Sequence, residues 1–224
     1  MHIALANDLP KAIRLNERPQ LSMRVLHTSE QRLSIAELRR LSPVGVEDDL
    51  GLGLSPFENV RDQIGTVLAY ERDRRLVATL RFVPSGHGMT GLERLLYRAA
   101  LPKDIVTPHS CEVGRVVVAP EDRHPDMLGQ CFSLALVEIT RMRPVKQFYA
   151  IATPLVARLW RRYGMQVAAT IHGVSGTEYK VVQGRAVDVA KALKLPKNLL
   201  MPGPSPAASR AHVAAASRRA MPIG

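Results

Sequence analysis

The side chains that most often carry metal or nucleophile chemistry are sparse in this sequence. It has two cysteines, Cys111 and Cys131, and seven histidines, none of which stands at a metal-ligand spacing from another histidine or from a cysteine. We therefore predict no metal. Two cysteines also give no reason to expect an oxidising compartment, so both are expected to be reduced and buried.

Arginine and lysine are the abundant functional side chains. Thirty-one of them against 20 Asp and Glu give a net charge of +11, so the surface should attract acidic partners. Nucleic acid, an acidic carrier protein and the phosphates of a nucleotide-linked thioester would all respond to that charge. Six of the basic residues form two groups, one of Arg141, Arg143 and Lys146 and one of Arg158, Arg161 and Arg162. A solvated surface is the usual explanation, and docking of an acidic carrier is the alternative.

Length and composition favour one globular domain. The chain has 224 residues, 46% of them hydrophobic, which is enough for a sizeable core. The longest apolar runs, such as Val116 to Pro120, are far shorter than the roughly 20 residues that span a bilayer, and the N-terminus lacks a signal-peptide pattern. We therefore expect a cytoplasmic protein without a membrane span.

The N-terminal part of the domain predicts one helix and one long loop. Apolar residues recur at helical spacing from Leu33 to Leu41, with Ser29 as the expected N-cap, whereas the first 25 residues show no clear period. The stretch from Ser42 to about Asp62 is rich in Gly, Pro and Asp. It is interpreted as a binding loop or lid, with a disordered connector as the alternative.

From Thr66 onward the pattern alternates between strands and helices. We predict a hairpin of Thr66 to Glu71 and Leu76 to Pro84, a short helix at Leu92 to Ala99, and a central strand at Cys111 to Ala119. The later elements are helices at Asp126 to Met142, Pro154 to Tyr163 (ended by Gly164) and Val187 to Leu193, and strands at Lys146 to Ala152, Gln166 to Ile171 and Tyr179 to Gln183. Residues 1–195 then form one mixed α/β domain, with the helix and loop at 28–62, and the Pro-, Ala- and Arg-rich residues 196–224 form a disordered tail.

Three segments carry a family resemblance over about residues 60 to 193. They are Thr79-Leu80-Arg81-Phe82-Val83-Pro84, the central strand Glu112-Val113-Gly114-Arg115-Val116-Val117-Val118, and Leu155 to Gly164 followed by two strands. With the order of elements, they resemble the acyl-CoA N-acyltransferase (GNAT) superfamily, in its branch of acyl-homoserine-lactone (autoinducer) synthases and N-acyl amino acid synthases. The central strand is similar to that branch's Glu-x-Ser-Arg-Phe-x-Val, with Gly114 for the serine and Val116 for the phenylalanine.

The resemblance implies a mixed, mostly antiparallel sheet flanked by helices. It also implies an enzyme that moves a fatty acyl group from acyl carrier protein or coenzyme A (acyl-ACP or acyl-CoA) to a small amine, with no tightly bound cofactor. An acyl-homoserine lactone made from S-adenosylmethionine is the preferred product. An N-acyl amino acid is the alternative, because the tryptophan expected in the acceptor loop of lactone synthases is absent and the only tryptophan, Trp160, lies in a late helix that it should pack onto the sheet.

The same resemblance assigns the catalytic residues. An arginine of the second strand and the Glu and Arg of the central strand lie in this family's acceptor pocket, which implicates Arg81, Glu112 and Arg115. Glu112 is the candidate base, balanced by either arginine. In a regular strand Glu112 and Arg115 point to opposite faces, so the assignment requires a bulge between them. The alternative is a Glu–Arg pair that only joins strands.

The substrate-binding residues are also taken from the resemblance. Backbone N–H groups of the central strand would polarise the thioester carbonyl, at Val116, Val117 and Val118. Phe82 would line the substrate site next to Arg81, and Asp62 or Glu58 would hold the amine of the acceptor. A solvated loop carboxylate or a helix cap is the alternative for both acids.

The loop after the central strand departs from the superfamily. That loop normally carries a basic residue and glycines whose N–H groups receive the pyrophosphate of coenzyme A at a helix N-terminus. Arg123 fits the basic position, but His124, Pro125, Asp126 and Met127 follow it, and Pro125 has no N–H. Either the donor is held differently, with Arg123, Arg161 and Arg162 as its binding residues, or the domain has lost its activity.

A function of another class remains open. The chain could be a non-catalytic descendant whose basic surface binds nucleic acid. It has only 10 aromatic residues on which bases could stack, and no helix-turn-helix or zinc signature. Nucleic acid is therefore not the expected partner.

Overall fold

The hairpin expected between Thr66 and Pro84 lies within a seven-stranded sheet of the computed structural model, which describes residues 20–42, 45–96, 101 and 105–196. The strands are β1 (Ser22–Val25), β2 (Thr66–Arg72), β3 (Arg75–Pro84), β4 (Ser110–Val118), β5 (Gln147–Ala152), β6 (Gln166–His172) and β7 (Glu178–Arg185). The helices are α1 (Ser29–Leu33), α2 (Ala36–Arg40), α3 (Val46–Asp49), α4 (Glu58–Ile64), α5 (Gly91–Leu96), α6 (Met127–Met142), α7 (Pro154–Arg162) and α8 (Ala186–Ala192).

The strand order is β1-β2-β3-β4-β5-β7-β6, and only β4 and β5 run parallel. The predicted mixed, mostly antiparallel sheet is therefore confirmed. Elements β2 to β7 fall within a few residues of their expected positions because their alternating or apolar patterns are strong. Gly164 ends α7 with a φ of 80°, and a Cβ there would lie 2.7 Å from a backbone oxygen of Asp188.

The parallel pair β4–β5 opens along its length. Pairing starts at Ser110 with Gln147 and ends at Glu112 with Tyr149. Beyond that point no register pair joins the described residues of the two strands. The unpaired stretch beyond Glu112, where β4 leads toward α6 and β5 leads toward α7, is called the β4–β5 gap.

Strand β4 also contains the bulge that the site assignment requires. Thr79 pairs with Val117 and Arg81 with Gly114, so one β4 residue is extra, and Arg115 adopts a φ of 49°. Before the bulge, Cys111 and Val113 face the main core; after it, Val116 and Val118 do. The extra residue therefore turns Arg115 to the same face as Glu112.

The two faces of the sheet are covered by different helices. On one face α6, α7 and α8 pack on a core with six aromatic side chains, from Tyr70, Phe82, Phe132, Phe148, Trp160 and Tyr163. Trp160 is 1% exposed, which confirms the packing role expected for it. The opposite face meets α2, α4 and a second apolar cluster built partly from Leu50, Leu52 and Leu54.

The N-terminal region differs most from expectation. Thr28, not Ser29, is the N-cap of α1, because the side chains of Thr28 and Gln31 form a reciprocal capping box. The expected single helix is two short ones, α1 and α2, since Ile35 at their junction is buried and non-helical. Strand β1 was not predicted, because four residues are too few to show a period.

The segment expected to be a loop from Ser42 to Asp62 is largely helical and packed. It holds α3, a 3-10 turn at Ser55–Phe57 and the start of α4, while residues 43–44 lie outside the description. The expected disordered tail at 196–224 also lies outside the described residues, apart from Pro196. No helix within the described ranges is long and apolar enough to cross a membrane.

Candidate active site

A cluster of alternating charges lies on the α4 face of the sheet, beside the β4–β5 gap. Elements α2, α3, α4, β3 and β4 contribute four guanidinium groups and four carboxylates, from Arg39, Arg61, Arg81, Arg115, Glu47, Glu58, Asp62 and Glu112. The formal charges cancel. So many ionised groups can be kept away from water because each has opposite charges as neighbours.

Glu112 is the most buried carboxylate of this ionic cluster. Arg61 Nη2 donates to its Oε1 at 2.9 Å, and the N–H groups of Gly91 and Leu92 donate to its Oε2 at 2.7 and 3.4 Å. Burial raises the pKa of Glu112 to about 7, and the charge of Glu47 adds to the rise, against the opposing effects of Arg61 and Gly91. Glu112 can therefore change protonation state near neutral pH.

The sequence analysis missed Arg61, as it missed Arg39 and Glu47. Arg61 is fully buried on α4, and its Nη1 binds Glu47 at 2.5 Å and Glu58 at 3.2 Å while its Nη2 binds Glu112. Arg81 and Arg115 had been expected to balance Glu112, but Arg61 makes that contact. The spacing of Glu58, Arg61 and Asp62 is a helical signal that the Gly- and Pro-rich composition of the preceding loop obscured.

Arg81 and Arg115 both bind Glu58. Arg81 makes contacts of 3.1 Å to each Glu58 oxygen, and Arg115 Nε donates to Oε2 at 2.9 Å. Although burial alone would raise it, Arg81, Arg115 and Arg61 hold the pKa of Glu58 at about 2. The three expected catalytic side chains thus share one cluster, linked through Glu58 and Arg61.

Asp62 is also saturated by arginines. Arg39 binds both of its oxygens, at 2.5 and 3.2 Å, and Arg81 Nη1 donates to Oδ1 at 3.0 Å. Asp62 is 4% exposed and lies in α4, so it is not a solvated loop acid. Asp62 and Glu58 lie in the expected region, but their oxygens already have strong partners.

The apolar residues expected to contact substrate are divided between the two faces. Phe82 is 1% exposed in the aromatic core, on the side of β3 opposite to Arg81. Val116 and Val118 face that core too, whereas Val117 packs against Leu38 of α2. Their backbone lies along the part of β4 that has no paired neighbour on the β5 side.

The three arginines expected to bind the carrier lie outside the ionic cluster. Arg123 is exposed, and its Nε donates to the carbonyl of Val118 at 3.2 Å. Arg161 and Arg162 are exposed at the C-terminal end of α7, about 10 Å along the helix from Pro154 at the gap. Arg162 lines a second cleft, of about 610 Å³, together with Asp126, which follows Arg123 by three residues.

A cleft of about 930 Å³ opens onto the ionic cluster. Its walls come largely from α1, α2, α3 and α4, and its lining includes Arg39, Glu47, Glu58, Asp62 and Arg115. A small charged molecule in this cleft would meet both guanidinium and carboxylate groups. Glu112 lies behind this cleft, because the Arg61 guanidinium group binds Glu47 of the cleft wall on one side and Glu112 on the other.

The two cysteines are free and buried, as predicted. Burial raises the pKa of each thiol to about 12. Neither is suited to act as a nucleophile near neutral pH, because the thiolate is the reactive form. Within the described residues, no group of three or more His, Cys, Asp and Glu side chains is arranged to hold a metal ion.

Comparison with solved structures identifies the fold. The chain is similar to the N-acyl amino acid synthase FeeM from uncultured soil microbes, with a TM-score of 0.55 and 12% identity over 86% of this chain and 98% of that one. It is similar to the AHL synthase LasI, with a TM-score of 0.58 and 12% identity over 78% and 95%. Escherichia coli ElaA matches with a TM-score of 0.51 and 16% identity over 74% and 99%.

The sequence alone gives no such match. No protein-family model and no curated protein sequence matches the chain. The similarity therefore lies in the three-dimensional arrangement of the elements. The chain has the GNAT-like fold, which it shares with the AHL synthase LasI and the N-acyl amino acid synthase FeeM.

Proposed function

We propose that the protein is an N-acyltransferase that moves a fatty acyl group from a carrier thioester to the amine of a small acceptor. The observation that carries this proposal is the position of Glu112. This carboxylate has a pKa near 7 and lies at the point where β4 and β5 part, next to a cleft with both signs of charge. A base with a pKa near the working pH is well matched to proton transfer.

The proposed reaction uses the chain's own groups for one proton transfer and for charge placement. The amine nitrogen attacks the thioester carbonyl carbon, the carbon–sulfur bond breaks, and the carrier leaves as a thiol. Glu112 accepts the proton that the amine loses through a bridging water, and Arg61 stabilises the ionised Glu112 beforehand. The unpaired edge of β4 supplies N–H groups for the oxyanion at Val116 to Val118.

The acceptor that best fits the cleft carries an α-amino acid group. Arg39 lines the cleft, and its buried Nε has no hydrogen-bond partner among the described residues, so this guanidinium group keeps a donor for a carboxylate that reaches it. S-adenosylmethionine and free amino acids both carry this group. We take S-adenosylmethionine as the acceptor and an acyl-homoserine lactone as the product, in which case the acceptor's carboxylate closes the ring and releases methylthioadenosine.

An N-acyl amino acid synthase is the second candidate. The likeness to FeeM extends over 86% of this chain, against 78% for LasI, and it spans almost all of FeeM. The guanidinium and carboxylate groups of the cleft could bind the carboxylate and the amino group of any amino acid. The two candidates share every step up to the amide.

The donor is proposed to be acyl-ACP or acyl-CoA, bound along the β4–β5 gap. The N-terminal ends of α6 and α7 both follow the diverging strands, and their N–H groups favour the phosphate of a phosphopantetheine arm. The basic Arg123, Arg161 and Arg162 would attract an acidic carrier. Nucleic acid binding is less well supported, because Phe57 is the only aromatic residue in the described ranges that is exposed.

The test is a reconstituted assay with the full chain. Radiolabelled S-adenosylmethionine and labelled amino acids are each incubated with acyl-ACP or acyl-CoA, and free thiol, lipophilic label and methylthioadenosine are measured. A labelled amide with methylthioadenosine release supports the lactone. A labelled amide without it supports the N-acyl amino acid. No thiol release with any pair, together with salt-dependent retention on DNA, rejects the enzyme in favour of the nucleic-acid alternative.

A further inference from the structure

The ionic cluster contains four carboxylates, but they differ in what they can still bind. Both oxygens of Glu58 and both of Asp62 accept from arginines, and both of Glu112 accept from Arg61 or from backbone N–H groups. Glu47 gives only its Oε2 to Arg61. Among the described residues Glu47 Oε1 has no hydrogen-bond partner, and its side chain is 27% exposed in the cleft.

Resting on the proposed function, we infer that Glu47 of α3 binds the amino group of the acceptor, in place of Asp62 or Glu58. The N–H groups of an ammonium or amine can donate only to a carboxylate oxygen that is not already occupied by another donor. Displacing Arg39, Arg81 or Arg115 from Asp62 or Glu58 would leave a buried or half-buried charge without its partner, which is costly. Glu47 needs no such displacement.

The position of Glu47 also suits the reaction. Arg61 Nη1 binds Glu47 and its Nη2 binds Glu112, so one guanidinium group separates the amine site from the proposed base. An amine at Glu47 lies beside that guanidinium cation, which disfavours the ammonium form. The Arg61 cation opposes the effect of the Glu47 carboxylate, which by itself favours the ammonium form.

The short helix that carries Glu47 is fixed from its other side. Asp49 Oδ1 accepts from the N–H of Ser175 at 2.8 Å, Asp49 Oδ2 accepts from the hydroxyls of Ser175 and Tyr179 at 2.8 Å each, and the carbonyl of Asp49 accepts from Val174 at 2.7 Å. These contacts tie α3 to the turn between β6 and β7. Four residues cannot hold a helix alone, so this turn positions Glu47.

The experiment compares Glu47→Gln with the matched control Asp48→Asn. Asp48 is the next residue of α3, is also exposed to the cleft, and binds the Ser55 hydroxyl. Steady-state KM values are measured for donor and acceptor, and equilibrium dialysis measures binding of labelled S-adenosylmethionine, a labelled amino acid, and the analogues in which hydrogen replaces the α-amino group. Dialysis requires no turnover.

Glu47→Gln should raise the acceptor KM at least tenfold and leave the donor KM within about twofold, since a charge-assisted hydrogen bond is lost. Binding of the analogue without the amine should not change. Asp48→Asn should alter the acceptor KM by less than about threefold. An unchanged acceptor KM in Glu47→Gln, or an equal loss for the analogue, overturns the assignment while the proposed function stands.

Failure of the proposed function has a different signature. If the wild-type chain releases no thiol with any acceptor, dialysis still decides the role of Glu47. Weaker amino acid binding in Glu47→Gln but not in Asp48→Asn then keeps Glu47 as an amine-binding residue of a site with another activity. No measurable binding to the wild-type chain overturns both proposals.

Discussion

Arg61 Nη2 and Glu112 Oε1 lie 2.9 Å apart, and the side chains of both residues are almost completely buried. Arg61 connects three carboxylates from α3, α4 and β4, so it joins the acceptor cleft to the sheet. Burial by itself would lower its pKa, but Glu47, Glu112 and Glu58 raise it, and Arg61 remains charged.

Replacing Arg61 by Met should destabilise the protein by about 3–5 kcal/mol, because buried carboxylates lose their partner. The pKa of Glu112 should rise further in this variant. Arg40→Met is the control, since Arg40 is 70% exposed and pairs only with exposed Glu37. Urea unfolding measures both variants. Equal free energies of unfolding would show that Arg61 is not a structural centre of the cluster.

Glu112→Gln should reduce kcat at least 100-fold, as expected for loss of a general base. In the wild-type enzyme kcat should rise with pH through about 7, because Glu112 must be ionised to accept a proton. The variant should lack this rise. Glu121→Gln, at an exposed position, is the control for a lost carboxylate. Retention of more than a tenth of the rate with an unchanged pH profile would remove Glu112 as the base.

Glu58 should make the protein sensitive to acid. Its pKa is about 2 in the folded protein against 4.5 for the free side chain, so its contribution is fully present above about pH 4.5 and is lost as the pH falls toward 2. The contribution is roughly 3 kcal/mol. Urea unfolding of wild type and Glu58→Gln at several pH values should show a gap that closes on acidification. A gap independent of pH contradicts the prediction.

Glu112 should act in the opposite sense. Its folded pKa of about 7 lies above 4.5, so the folded protein binds the proton more tightly than the unfolded chain does. Stability from this group is present below about pH 4.5 and is lost as the pH rises through 7. The free energy of unfolding of the wild-type protein should therefore contain a decrease between about pH 4.5 and pH 7 that is due to Glu112. This decrease should be absent from Glu112→Gln.

Gly173→Ala should break the contact between α3 and the β6–β7 turn. A Cβ at Gly173 would overlap the carboxylate of Asp49, so we expect a loss of about 1–3 kcal/mol. In an Asp49→Ala background the same change should cost much less, because the overlapping atoms are gone. Thermal or urea unfolding of the four proteins gives the coupling. Additive effects would mean that the two residues do not touch in solution.

Cys111 and Cys131 should resist thiol reagents in the folded protein. Both thiols have a pKa of about 12, so almost no thiolate exists at pH 8. Labelling should follow the rate of unfolding and become fast in urea. Rapid labelling of either cysteine under native conditions would show that its burial is incomplete.

The strands and long helices could be predicted from the sequence because their apolar residues repeat with the period of the element. The hairpin β2–β3, the central strand β4 and helices α6 and α7 all follow such patterns. Arg81, Glu112 and Arg115, which were chosen from the resemblance, lie in one ionic cluster on one face of the sheet, and their catalytic role stays a prediction. The resemblance also required the bulge that Arg115 forms.

The partners of the charged residues could not be predicted in the same way. Arg61 lies 51 positions from Glu112, and Asp49 lies 126 positions from Ser175, so no local pattern connects them. Those contacts exist only once α3 and α4 pack on the sheet. Periodicity reports which side of an element is buried, whereas the pairing of buried charges depends on which elements meet there, and only the tertiary structure decides that.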